Sequence, residues 1–316
     1  MAEVKDITTA YSEALVEIGL ADLRVVVLDA DLPDSCKTEP FYEACPGRAI
    51  DLGVAEQSLP TVAAGLALVG KVPFYNTFAV FAVGRSFDMV RVSVAYAQTN
   101  VKIIGHAAGL SLGYAGPSHH ALEDLAMMRA LPNIVVLQPA DAEECRQMVW
   151  WMKDYVGPVY LRLMRTTVPN VHAEGWRFEM GKTERLREGS DVTLYSTGDL
   201  CVNALHVADR LAEEEISAQV VNVSTLKPLP PEEIIRHAEL TYCAVTLEDH
   251  NIMGGLGSAV AEIYAEFAPG KPLSRLGIRD TFTESDDYDV LRDHYGLADG
   301  DVMAAIHSLL DEVLAL

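Results

Sequence analysis

The chain has 316 residues, half of them hydrophobic and 22% charged, enough for about two ordinary domains with a sizeable core and too apolar for disorder. Its 24 basic and 46 acidic residues leave a net charge of −22, which repels phosphate backbones and anionic lipid and so argues against nucleic-acid or membrane binding. Five widely spaced cysteines (Cys36, Cys45, Cys145, Cys201, Cys243) form no CxxC or metal-ligand cluster, and there is no signal core or long uncharged apolar run, so a cytoplasmic location with reduced thiols is expected.

Taken in order, residues 7–19 read as an amphipathic helix starting at Thr8 or Thr9 and ending on a glycine cap. Residues 24–29 (RVVVLD) are a β-branched run, a buried strand, and the polar loop 29–38 follows at its C-terminal end, where open parallel sheets bind ligands. The chain is organised around residues 51–60, DLGVAEQSLP, with Glu56 between a strand-like lead-in and a small-residue helix over 61–68. Glu56 is either a helix-start glutamate favoured by the dipole or a buried acid whose desolvation favours its protonated form. Residues 70–75 lead into a strand, 78–100 read as helix and 101–104 as strand. Residues 105–120, GHAAGLSLGYAGPSHH, form a glycine-rich loop with three histidines. Helix 121–130, strand 134–138, helix 142–154 and strand 159–163 complete a doubly wound, mostly parallel α/β domain expected over 1–166.

Residues 167–189 carry turn residues and mixed charge and read as a linker. A second α/β domain is expected over 190–316, with strands at 192–196, 219–223 and 244–247 and helices at 200–214, 232–237, 254–267 and 301–316. The acidic run 284–289 reads as a solvated loop. Gly254, Gly255 and Gly257 precede a helix and allow either anion binding or, the favoured reading, a tightly packed turn.

Chemistry-bearing residues of the first domain fall at loops or helix starts beside the sheet edge. They are Asp31 with Ser35, Glu56, Phe78 with Phe81, and His106, His119 and His120. Histidine suits proton transfer or the holding of phosphate and hydroxyl groups near neutral pH. The histidines lack the helical H-x-x-x-H spacing of a zinc site, so no protein-bound metal is expected. Phe78 and Phe81, three apart, would share a helix face, as core or as a platform for a flat heterocycle.

DLGVAEQSLPTVAAGLAL, VPFYNTFAVF and GLSLGYAGPSHH together resemble the pyrimidine-binding domain of transketolase, and TLEDHNIMGGLGSAVAE resembles that enzyme's C-terminal domain. The likeness covers nearly the whole chain, in order. The family's GDG-type motif for diphosphate and magnesium is absent, so the chain is most similar to the C-terminal subunit of a split, two-gene transketolase. The resemblance implies transfer of a two-carbon ketol unit from an anionic ketose to an aldehyde through thiamine diphosphate. It further implies Mg2+ and diphosphate held mainly by an N-terminal partner subunit, activity only with that partner, and an α₂β₂ heterotetramer. Glu56 matches the glutamate that hydrogen-bonds the cofactor's aminopyrimidine, Phe81 the aromatic stacked on that ring with Phe78 beside it, and Asp31 an aspartate near the thiazolium. His119 matches a histidine near the reacting carbons. His106, Ser35 and Arg165 match positions that bind the substrate's phosphate.

Three departures bear on the substrate. The aspartate of the family's GEDGPTH is Ala115 here, the phosphate-binding arginine falls near Thr8 with no arginine alongside, and a tyrosine of the cofactor pocket falls at Gly84, next to Arg85. A different phosphosugar, a sulfosugar or an uncharged ketose would fit, as would a contact supplied by the partner. The rival enzyme reading is the E1 β subunit of a 2-oxoacid dehydrogenase, against which GPSHH argues. A 1-deoxyxylulose-phosphate synthase ranks third, and the non-enzyme reading is a regulatory or scaffolding subunit.

Overall fold

Two twisted sheets, each with helices on both faces, organise residues 4–315, which the computed structural model describes. The chain runs β1 (Val4–Asp6), α1 (Ile7–Ala21), β2 (Val25–Asp29), α2 (Glu39–Ala44), β3 (Ala49–Asp51), α3 (Leu59–Leu68) and β4 (Val72–Phe78). Two wide π-helical stretches, Phe81–Arg85 and Val90–Tyr96, flank the single turn α4 (Phe87–Met89). Then come β5 (Lys102–His106), α5 (Asp124–Ala130), β6 (Val135–Leu137), α6 (Ala142–Asp154), β7 (Val159–Arg162), β8 (Thr167–Pro169) and β9 (Glu184–Arg187). The second half adds β10 (Val192–Ser196), α7 (Leu200–Glu213), β11 (Ala218–Asn222), β12 (Thr225–Lys227), α8 (Pro231–Ala238), β13 (Cys243–Asn251), α9 (Leu256–Phe267), β14 (Leu273–Ile278), α10 (Tyr288–His294) and α11 (Asp299–Leu314).

The first sheet has the order β12-β6-β7-β5-β4-β2-β3, parallel except for β12, which runs antiparallel to β6. The second has the order β14-β13-β10-β11-β9, parallel except for the edge strand β9. Strand alternation divides the apolar residues between faces. Val25 and Val27 of β2 pack with Tyr11, Leu15 and Ile18 of α1 and with Met148 of α6. Val26 and Leu28 face the other way, towards Leu59 and Ala63 of α3. That second cluster continues into Tyr195, Val221, Leu256 and Val260, so one apolar core spans both halves. A third cluster joins β10 and β13 to α7 and α11.

Several expectations change. Helix α1 starts under Asp6, whose Oδ1 accepts the Thr9 backbone N–H at 2.6 Å, and it runs past Gly19 to Ala21. Gly19 is not a cap: a Cβ there would lie 2.3 Å from the Phe41 ring, so glycine is needed where α1 meets α2. Phe78 closes β4 instead of opening a helix, and His106 closes β5 instead of lying in a loop. The stretch read as linker contains β8, paired with β1, and β9 of the second sheet. Of the acidic run 284–289, residues 284–287 are a largely exposed loop while Tyr288 and Asp289 open α10, and Ser285 Oγ donates to Tyr114 O at 2.5 Å, so the loop leans on the histidine loop.

The two halves meet over a buried arginine. Arg162, at the end of β7, is fully buried and donates to Asp124 Oδ2 (2.8 Å), Ala121 O (3.0 Å) and Asp249 O (2.9 Å). The Asp249 carboxylate in turn accepts the Leu110 N–H at 3.0 and 3.1 Å. The histidine loop is therefore fixed from the second half of the chain. His120 Nδ1 adds a 2.7 Å bond to Thr283 Oγ1.

Candidate active site

Strand β3 lies on one side of β2, and β4 on the other, so the chain reverses direction across the sheet between β2 and β4. A crevice outside the C-terminal ends of these strands is where doubly wound sheets hold ligands. Asp29 and Asn76 are register partners there, as are Phe78 and His106 one strand over. The segments that follow carry Asp31, Ser35, Glu56, Phe81 and His119.

Glu56 lies in the turn between β3 and α3 and is 4% exposed. Its carbonyl accepts from Ser86 Oγ at 2.9 Å, which ties this turn to the segment after β4. Its carboxylate is not the isolated acid that the local sequence suggests: Arg85 Nη1 donates to Oε1 at 2.6 Å. The same guanidinium lies 4.1 Å from the centroid of the Phe81 ring. Phe78 and Phe81 do meet, at 6.2 Å between centroids, although only Phe81 lies in the helical segment. His119 stands edge-on to both rings, 5.9 Å from Phe78 and 5.3 Å from Phe81, and its Nδ1 is 2.9 Å from Ser118 Oγ. The Arg85 guanidinium thus fills a seat between the Glu56 carboxylate and the Phe81 ring, with Phe78 and the His119 imidazole packed against that ring.

His106 is buried behind this wall. Its Nε2 lies 3.0 Å from Asn76 Oδ1, which also accepts from Tyr11 OH at 2.6 Å. Burial drives its pKa down to about 3, so the ring is neutral, with Nε2–H donating and Nδ1 left as a lone pair. Nδ1 is buried and has no partner among the described residues. Any contact it makes with a substrate is that of a neutral imidazole, not of a cation.

The opposite side is acidic and then basic. Asp29 is fully buried, and burial pushes its pKa up to about 7, opposed by bonds to Oδ2 from Thr38 Oγ1 (3.0 Å) and Tyr42 OH (3.1 Å). Its Oδ1 has no partner among the described residues. Asp31 is exposed, holds a left-handed backbone (φ 59°) and is pinned by its N–H to Asp51 Oδ1 at 2.9 Å. Lys37 and Ala107 are also left-handed, at φ 53° and 51°, so strained non-glycine residues gather around the crevice. Ser35 is half-buried, and Arg165 is exposed. Lys37 Nζ reaches the start of α1, bonding Asp6 Oδ1 (2.7 Å) and Thr9 Oγ1 (2.6 Å). Thr8 is buried, and Ala115 is exposed on the short helical turn before His119.

The sequence motifs point to neither Lys37 nor Asn76, and they present Arg85 only as a neighbour of Gly84. A signal for Arg85 is present all the same: it stands four residues after Phe81, the spacing of side chains on one helical face. Lys37 is the basic residue of the polar loop after β2. Asn76 gives no signal, since its role depends on the pairing of β4 with β2 and β5.

The glycine turn before α9 already binds a carboxyl group of the chain itself. Glu248 accepts the Leu256 N–H (2.7 Å) and the Gly257 N–H (2.8 Å), and a Cβ on Gly255 would fall 1.9 Å from Glu248 Oε2. Close packing is therefore the reading that holds for Gly255 and Gly257. Among the described residues there is no group of three or more His, Cys, Asp or Glu able to hold a metal, and no helix long and apolar enough to cross a membrane.

Known proteins share this fold. The family model described as "Transketolase, pyrimidine binding domain" matches residues 3–170, and that described as "Transketolase, C-terminal domain" matches residues 181–302. The chain is 41% identical over 301 residues to the "6-deoxy-6-sulfo-D-fructose transketolase subunit SqwH" of Clostridium sp. (strain MSTE9), covering 95% of this chain and 93% of that one. It is 34% identical over 298 residues to one of the subunits of the apulose-4-phosphate transketolase of Actinobacillus succinogenes (strain ATCC 55618 / DSM 22257 / CCUG 43843 / 130Z), covering 94% and 96%. A solved structure titled "Split gene transketolase, inactive beta4 tetramer" superposes with a TM-score of 0.90 at 46% identity, over 97% of this chain and 99% of that one.

Proposed function

The chain belongs to the transketolase family, and from that premise we propose that it is the C-terminal, β-type subunit of a two-chain transketolase that moves a two-carbon ketol unit from an anionic ketose to an aldehyde. The observation that carries this reading is the cluster itself: Glu56 from the turn after β3, Phe81 from the π-helical stretch after β4 and His119 from the histidine loop are brought together around the Arg85 guanidinium and the Phe81 ring. The residues fit a thiamine aminopyrimidine, because a flat group with N–H donors already occupies the seat between Glu56 and Phe81 in the form of the Arg85 guanidinium.

Thiamine diphosphate, when bound, supplies the electron sink for breaking a carbon–carbon bond next to a carbonyl. The chain's own residues do the rest. Glu56 would accept a hydrogen bond from the ring, and Phe81, with Phe78 beside it, would provide its stacking face and exclude water. The carboxylates of Asp31 and Asp51 give the thiazolium side a negative field. His119 stands where it can donate to or accept from the substrate's oxygens. Ser35 and Arg165, with Lys37 near the start of α1, serve the anionic end of the sugar, and His106 contributes a neutral acceptor from below.

The chain holds no diphosphate or magnesium site of its own in this reading; an N-terminal partner supplies both, in an α₂β₂ assembly. The relatives' names, one a sulfosugar and one a phosphosugar enzyme, support an anionic terminus without choosing between the two. The test is a donor and acceptor screen on the chain co-purified with its partner, in thiamine diphosphate and Mg2+. Two-carbon transfer that falls at least about 100-fold in Glu56→Gln is expected. Oxidative decarboxylation of a 2-oxoacid instead, or no turnover with a verified complex, would overturn the reading.

A further inference from the structure

The two groups that the proposed reading gives to the cofactor's ring are both engaged here by one side chain. Arg85 donates to the Glu56 carboxylate at 2.6 Å and lies over the Phe81 ring at 4.1 Å. A buried carboxylate left without a partner is costly, so an empty seat would strain the loops that form it. The guanidinium removes that cost with a planar cation, which both accepts the stacking geometry and satisfies the acid.

The arrangement is also releasable. The Arg85 side chain is 43% exposed, so its side of the ion pair is open to water and the guanidinium can leave Glu56 without being stranded in the interior. Its backbone carbonyl is held by Gln57 Nε2 at 3.3 Å, so the main chain stays in place while the side chain turns. The neighbouring Gly84 leaves open space: apart from its chain neighbours and its own helix backbone, no atom lies within 4 Å of where a Cβ would stand.

We propose that Arg85 is a placeholder for the aminopyrimidine: it preforms the seat between Glu56 and Phe81 in the cofactor-free chain and swings out when the cofactor enters. This inference rests on the thiamine reading, and it makes Arg85 a positioning residue that acts through Glu56. It also gives the reaction an entry step, since the cofactor must displace an internal competitor.

The experiment is calorimetric titration of thiamine diphosphate, in saturating Mg2+, into the complex of this chain with its partner. Parent, Arg85→Ala, Arg85→Lys, Glu56→Gln and the double variant are compared. Arg85→Ala is expected to bind about three- to tenfold more tightly than the parent, because no competitor has to leave. Arg85→Lys, which keeps the charge but not the planar stack, should fall between them and carries the test if the alanine variant fails to assemble. In the Glu56→Gln background the gain from Arg85→Ala should largely vanish. The cofactor-free chain carrying Arg85→Ala should melt at a lower temperature than the parent, as expected if Arg85 satisfies Glu56. Equal or weaker binding by both Arg85 variants would overturn the placeholder, weaker binding marking Arg85 as a ligand of the filled site. Turnover lost in Glu56→Gln would still uphold the thiamine reading in that event, whereas no binding by the parent complex overturns both.

Discussion

Lys37 is the side chain on which substrate choice is most directly testable. Its ammonium lies between Asp6 and Thr9 at the start of α1, beside the position where the family's phosphate-binding arginine is missing. A charge-assisted hydrogen bond to an anionic terminus contributes about 1.5–3 kcal/mol. Lys37→Met is therefore expected to raise KM for the anionic ketose by about tenfold or more, with kcat within a factor of about three. Steady-state kinetics on the reconstituted complex would check this; an unchanged KM would leave Lys37 as a brace for α1 only. At this scale the sequence carries much of the candidate site. Glu56, Phe81 and His119 stand in motifs, and each lies at the crevice. Lys37 and Arg85 are harder to see, because a cation's partners are set by three-dimensional packing: Lys37 meets residues 28 and 31 positions away, and Arg85 one 29 away.

Single elements depend on where glycine is required and where it is merely tolerated. Gly109, inside the histidine loop, has φ +60°, and a Cβ there would lie 2.4 Å from Asp249 Oδ2. Gly109→Ala combines left-handed strain of about 1–2 kcal/mol with disruption of the Asp249–Leu110 bond, so a loss of about 2–4 kcal/mol is expected in urea unfolding. Gly65, exposed in α3 with nothing near its missing Cβ, behaves oppositely: Gly65→Ala should add about 0.5–1 kcal/mol to the same measurement. Helix α6 is legible to the residue, having an Asp141 cap, acids in its first turn and Lys153 in its last. The segment after residue 70 is less so. β4 is buried on both faces, so its apolar run has no alternation to separate it from the helical turns that follow, and periodicity puts Phe78 on the wrong side of that boundary. The short strands β9, β12 and β14 give weak local signals, since edge strands are defined by the neighbour they pair with.

Across the whole molecule, acids buried at the end of β13 tie stability to pH. Burial pushes Glu248 up to about 7, against the backbone N–H groups of α9 that favour its charge, and Asp249 also to about 7. Both are raised above their unfolded values, so the stability they contribute is fully present below about pH 4 and is lost as pH rises through 7. Glu248→Gln removes one of these protons from the balance. Between pH 5 and 8 the parent is expected to lose up to about 3 kcal/mol relative to this variant, read from denaturant midpoints; parallel curves would refute the assignment. The doubly wound class of both halves can be read from alternating strands and helices. Their joining cannot, because Arg162, Asp124 and Asp249 come from distant segments and meet only in the fold.

The strand β12 bears on how the chain can be taken apart. It arises in the second half yet forms the outer rung of the first sheet, where Thr225 pairs with Leu137. A break between residues 189 and 190 would leave the first fragment with β6 as a bare border, its backbone amides and carbonyls free to recruit a strand from any neighbour. Separately produced halves should accordingly be sticky alone and re-anneal when mixed. Chimaeras that exchange the second half would transplant a piece of the first sheet with it, so shuffling between relatives calls for matching residues 225–227 to the β6 they will border.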